Sequence, residues 1–176
     1  MMFLVVLIAA TAVTATVRPR AGIRTHARIG LGTAMLFAGA GHLLQPNPFE
    51  QHVPDFVPGE VLIVLISGLV EIALGTLLLT LRRHRRAVGE ALAAFLVAVF
   101  PANVYVAVAG VDVDGQPGGA YPWIRLPFQA LFVAWALWST RRPAPTESEP
   151  APSAGDDADV SHRAALLHAG AGRSGS

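Results

Sequence analysis

Glu71 is the one ionisable residue in the apolar run Val61–Leu81, and it stands at the midpoint of that run. An ionised carboxylate at the centre of a membrane span costs roughly 2.5–3.5 kcal/mol on insertion scales, so it needs an internal partner, a proton or a function. The other notable polar side chains in this and the other apolar segments are His42, Ser67, Asn103, Arg125 and Gln129. A carboxylate in such company can accept a proton while amide and guanidinium groups donate hydrogen bonds to a carbonyl oxygen. These six are the candidate pocket residues, and no catalytic role is assigned among them.

To do that chemistry the six must be carried to one place by the elements that hold them. Five apolar segments stand out: Met2–Val17, Ile29–Leu44, Val61–Leu81, Val88–Ala109 and Ile124–Ser139. A hydrocarbon core about 30 Å thick needs around 20 residues at a helical rise of about 1.5 Å each. The third and fourth segments meet that length. The second and fifth are shorter, but uncharged neighbours such as Ala27 and Tyr121–Trp123 can extend them. The first is read as a retained span, because no basic residue precedes it as in a signal peptide, although Ala10-Thr11-Ala12 resembles a cleavage motif. The expected fold is all-α, a polytopic transmembrane helix bundle.

Composition agrees. Of 176 residues 53% are hydrophobic and only 14% are charged, against about 25% charged in soluble domains. The absence of cysteine excludes disulfide exchange, thiolate catalysis and thiolate-bound metal. Arginine placement sets orientation. Arg18, Arg20, Arg24 and Arg28 lie between segments one and two, Arg82, Arg83, Arg85 and Arg86 between three and four, and Arg141 and Arg142 after five. The alternate loops hold no arginine and carry Glu50, Asp55, Glu60, Asp112 and Asp114. Positive-inside reasoning then places the N-terminus outside a plasma membrane and the C-terminus in the cytoplasm. Residues 140–176, rich in Pro, Ala, Gly, Ser and acid, are expected to form a disordered tail, with at most a transient helix at Val160–Ala169.

Depth along each segment puts His42 and Arg125 near the outer boundary, Asn103 and Gln129 roughly 8–9 Å below it, and Glu71 near the midplane. Helical side chains lean toward their N-termini, which aims Glu71 outward and His42 and Asn103 inward. Asn103 is therefore the natural neighbour of Glu71, with Gln129 and His42 also in range. Arg125 is expected to reach the outer interface, since a direct pair with Glu71 must bridge a gap in depth. Ser67, Gly68, Glu71 and Gly75 share one small-residue face, comparable to Ala34, Ala38, Gly41 and His42, and such faces allow close helix approach. Pro101 and Pro127 each precede a polar residue by two positions and free a backbone carbonyl near the expected pocket.

Other site chemistries fail on residue supply. A bis-histidine haem lacks a second ligand within the spans unless the loop bearing His52 folds inward. No metal-ligand spacing or phosphate-binding glycine loop is present, and no nucleic-acid partner is expected. The run Arg82–Arg86 reads as a topology signal. Glu90, one turn from Arg86, reads as a surface pair.

Residues 28–139 resemble the DoxX-like family of small integral membrane proteins. Phe37-Ala38-Gly39-Ala40-Gly41-His42-Leu43-Leu44, then Pro46, Phe49 and Val57-Pro58, look like its first span and outer loop. Ser67-Gly68, Glu71 and Gly75 are similar to its second span, Val99–Tyr105 to its third, and Trp123–Gln129 with Trp135–Trp138 to its fourth. The resemblance implies a four-helix membrane domain over residues 29–139, here preceded by an extra N-terminal span (residues 1–17) and a basic loop (18–28). It also implies a role beside membrane oxidoreductases. With no cysteine in this chain, redox chemistry must come from a bound quinone or a partner. The partners implied are the lipid bilayer and an oxidoreductase subunit, the chain acting as an accessory component and not as an enzyme on its own. A second expectation is a non-enzymatic structural or assembly module whose polar cluster only fixes helix packing.

Overall fold

The computed structural model describes residues 2–54 and 56–141, which fall in the unit Met1–Arg142. The expected tail from residue 142 onward, the segment Val160–Ala169 and Asp55 lie outside the described residues. The described chain is all-helical: α1 (Met2–Val17), α2 (Ile23–Leu44), α3 (Asn47–Glu50), α4 (Glu60–Thr80), α5 (Arg85–Ala109) and α6 (Tyr121–Thr140). Three of these, α2, α4 and α5, are long and apolar enough to cross a membrane. α1, with 16 residues, is a shorter apolar helix, and α6 is diluted by Arg125, Gln129 and its prolines.

Three of the departures from the expected boundaries have a local reason. α2 begins at Ile23, a turn and a half before Ile29, because its arginines are accommodated. Arg24 lies over the Trp138 ring, 5.9 Å from its centroid, and the buried Arg28 guanidinium donates to the Leu78 carbonyl in the last turn of α4. That carbonyl has no partner within its own helix, and the end of a helix favours a cation. The expected loop after α2 contains α3, which opens at Pro46 with a proline in its first turn. Thr140, expected to begin the tail, instead ends α6 buried against Gly89. Left-handed glycines mark two turns: Gly59 (φ 82°) before α4 and Gly110 (φ 67°) after α5.

Packing is uneven along the bundle. α2 lies between α1 and α4, and α5 pairs with α6. Small residues make the first set tight: a Cβ on Gly39 would stand 2.6 Å from the Gly68 carbonyl, and one on Gly75 2.9 Å from the Gly32 carbonyl. The core of Leu7, Leu31, Leu78, Leu92 and Ala136 gathers in the half nearer the arginine loops. There Trp135 Nε1 donates to the Ala27 carbonyl at 3.1 Å and joins α6 to α2. In the opposite half a cavity lies between the two sets. Exposed apolar side chains such as Leu62, Ile66, Leu69, Val97 and Leu131 lie on the outer faces, a surface compatible with lipid.

Candidate functional site

The cavity encloses about 560 Å³, and all six candidate residues line it: His42 from α2, Ser67 and Glu71 from α4, Asn103 from α5, Arg125 and Gln129 from α6. Its remaining wall is mainly apolar, with Phe95, Phe128 and Phe132 prominent and with Phe3 and Leu4 contributed by the short α1. A mostly apolar cavity with a few convergent polar groups is the usual form of a small-molecule site.

Glu71 is buried, 9% exposed, and its partner is His42, not Asn103. His42 Nδ1 lies 2.8 Å from Glu71 Oε2 and 3.1 Å from the Ala38 carbonyl of its own helix. The Ala38 carbonyl can only accept, so Nδ1 carries the proton, and Nε2 is left for the cavity or the wall. The N–H aligns with the Ala38 carbonyl, leaving Glu71 Oε2 close to the ring but without an aligned hydrogen bond. Gly68 makes this approach possible: a Cβ there would stand 2.6 Å from His42 Cβ. Phe49 of α3 covers the imidazole with ring centroids 3.9 Å apart. Depth alone put Asn103 first and His42 only in range; the close approach of α2 to α4, with Phe49 of α3 over the ring, favours His42.

Other polar groups are partly committed. Ser67 Oγ donates to the Val64 carbonyl at 2.8 Å within its own helix. Gln129 Nε2 donates to the Leu96 carbonyl at 2.7 Å, tying α6 to α5 beside the break that Pro101 makes in the helical ladder. Asn103 has no side-chain partner among the described residues, which leaves its amide for the cavity.

Arg125, expected to reach the outer interface, is engaged there by residues of two connecting loops. Its Nη1 donates to Gln116 Oε1 at 2.6 Å and meets His52 Nε2 at 3.1 Å. His52 Nδ1 in turn lies 3.0 Å from the Pro48 carbonyl. A carbonyl only accepts, so Nδ1 bears the proton and Nε2 accepts from the arginine, which makes His52 a neutral ring. Burial, then the adjacent Arg125 charge, push its pKa down from 6.5 to about 4. The loop bearing His52 does fold inward, but both ring nitrogens are engaged, and the described residues contain no cluster of three metal-ligating side chains. A second link joins the same two connections: Gln51 Nε2 donates to Asp114 Oδ2, and Asp114 N–H donates to Gln51 Oε1, both at 2.8 Å.

His52, Phe49 and Gln116 are therefore the site residues that sequence reasoning missed. The available signal was Pro46 and Pro48, which start α3 and return the following residues over the cavity. Gln116 had none, since a polar residue in a glycine-rich loop does not announce a contact with a residue of the next helix.

A family model for a domain of unknown function (DUF8561) matches residues 31–140, most of the chain and nearly all of α2 to α6. The chain belongs to the DUF8561 family. The matched region contains every polar residue of the cavity and excludes α1. No curated protein and no solved structure matches the chain.

Proposed function

We propose that this DUF8561 protein is a DoxX-like membrane component that holds a small carbonyl-bearing ligand of the quinone class in its cavity, as an accessory to a membrane oxidoreductase. The observation that carries the proposal is the convergence of six polar side chains on one largely apolar cavity, with a buried carboxylate oxygen that lacks an aligned donor. On this reading the matched region forms a four-helix membrane domain, α1 is an added N-terminal span, and the cavity faces the outside of the plasma membrane.

The residues present suit a quinone. The phenylalanines and aliphatic side chains accept a flat apolar ring, while the Asn103 amide and the uncommitted nitrogens of Arg125 can donate to carbonyl oxygens. When bound, a quinone supplies reversible chemistry of two electrons and two protons. The His42–Glu71 pair would hold or release a proton at Nε2 or Oε2. Gln129, with its nitrogen on Leu96, presents an acceptor oxygen. Phe49 and the His52 loop restrict water at the mouth.

The test uses full-length protein in lipid nanodiscs with a photoactivatable benzoquinone probe, mapped by mass spectrometry. Labelling should fall on peptides of α4, α5 and α6, be displaced by excess unlabelled quinone, and drop severalfold in Glu71→Gln without loss of folding. Labelling that is dispersed, not displaced, or unchanged in Glu71→Gln refutes the proposal. A second reading is a structural module, favoured by the glycine contacts between α2 and α4. It requires Glu71→Gln to be silent and Gly75→Leu to disrupt the bundle.

A further inference from the structure

The arginine-rich end of the bundle carries a charge arrangement that the cavity does not use. Arg28 is 4% exposed and is held at the end of α4 by the Leu78 carbonyl, in the turn just before Arg82 and Arg85. Three arginines thus belong to one end of the bundle, carried by α2, the turn after α4 and the first residue of α5. One Arg28 nitrogen is spent on the Leu78 carbonyl. The Nε of Arg85 is buried and has no hydrogen-bond partner among the described residues.

Among the described residues nothing nearby balances this charge. The only acidic residue in the neighbouring helical segments is Glu90, and its carboxylate is engaged at 2.8 Å by the exposed Arg86. Like charges brought together at a partly buried site, with an unpaired N–H among them, are costly unless an anion joins them. Guanidinium forks are well matched to phosphate oxygens. The site also lies where an apolar bundle meets its polar loops, the level of lipid headgroups.

We propose that Arg28, Arg82 and Arg85 form a binding site for a phosphate group, as carried by an anionic phospholipid. Arg85 supplies the unpaired N–H, Arg82 the exposed arm, and Arg28 a fixed charge beneath them. The end of α4 holds Arg28 in place, so the site is present before the anion arrives.

The experiment uses the full chain purified in a neutral detergent, with thermal unfolding followed by tryptophan fluorescence. Phosphatidylglycerol, phosphatidylcholine or inorganic phosphate at matched ionic strength is titrated in. Phosphatidylglycerol should raise the unfolding temperature saturably and phosphatidylcholine should not. Arg85→Gln and Arg82→Gln should each raise the half-saturating concentration about tenfold, the scale of one lost charged hydrogen bond. Arg20→Gln removes the same charge from an exposed position at this end and should leave half-saturation unchanged. If inorganic phosphate alone gives the same response, the site stands with the free ion as ligand. Equal losses in Arg20→Gln and Arg85→Gln would reduce the effect to diffuse attraction and overturn the site. So would the absence of any response to lipid and phosphate. Arg82 is exposed, so its variant remains informative if Arg85→Gln folds poorly.

Discussion

Gly68→Ala tests whether close helix approach is what builds the His42–Glu71 pair. The added methyl would stand 2.6 Å from His42 Cβ and 3.0 Å from the Gly39 carbonyl. To regain ordinary van der Waals contact His42 Cβ, and with it the backbone of α2, must withdraw by about 0.8 Å, because repulsion rises steeply below that limit. Retreat along α2 is blocked by the backbone, and Phe49 lies over the ring. The pair now separated by 2.8 Å would move beyond hydrogen-bond distance. Overpacking of this kind costs about 1–3 kcal/mol, which for a chain of this size lowers the unfolding temperature by roughly 3–10 °C. The assay is thermal unfolding in detergent beside Gly22→Ala, where a methyl meets nothing within 4 Å. Photolabelling of the cavity should fall in Gly68→Ala and not in the control. Refutation would be a Gly68→Ala protein that melts and labels like Gly22→Ala, since the glycine would then not determine how near the two helices lie.

Acid should destabilise the mouth of the cavity through His52. Its pKa is lowered from 6.5 to about 4, so between those values the unfolded chain binds more protons than the folded one, and stability rises with pH. The contribution of the neutral ring is fully present above about pH 6.5 and lost on falling to about pH 4, roughly 3 kcal/mol in all. Denaturant titrations across this range should show that slope in wild type and a flatter profile in His52→Gln; parallel profiles would contradict it. Trp135→Phe removes the Nε1–H bond to the Ala27 carbonyl and should cost about 1 kcal/mol by the same titrations, with no effect on cavity labelling.

Much of the helical plan was legible in the sequence. Apolar length defined α1 and α4 to within one residue, and the six polar side chains could be named because each is anomalous in an apolar run. The start of α2 was not legible, because arginine reads as a boundary until Trp138 and the end of α4 are known to receive Arg24 and Arg28. Nor was the mouth. Loop residues carry no periodicity, so α3 and the contacts of His52 and Gln116 with Arg125 depend on where two separate connections meet.

Sequence by itself determined that this is an apolar, all-helical chain with a carboxylate buried at the centre of a helix, since burial of that many hydrophobic groups and the need to satisfy backbone groups leave few alternatives. Tertiary structure decided the partner of that carboxylate. Depth along separate helices favoured Asn103, but the pair that forms depends on a contact between α2 and α4 that only glycine permits and on a short helix that closes over His42. Such choices turn on shifts of less than an ångström between packed surfaces, and spacing along a chain does not encode them at that resolution.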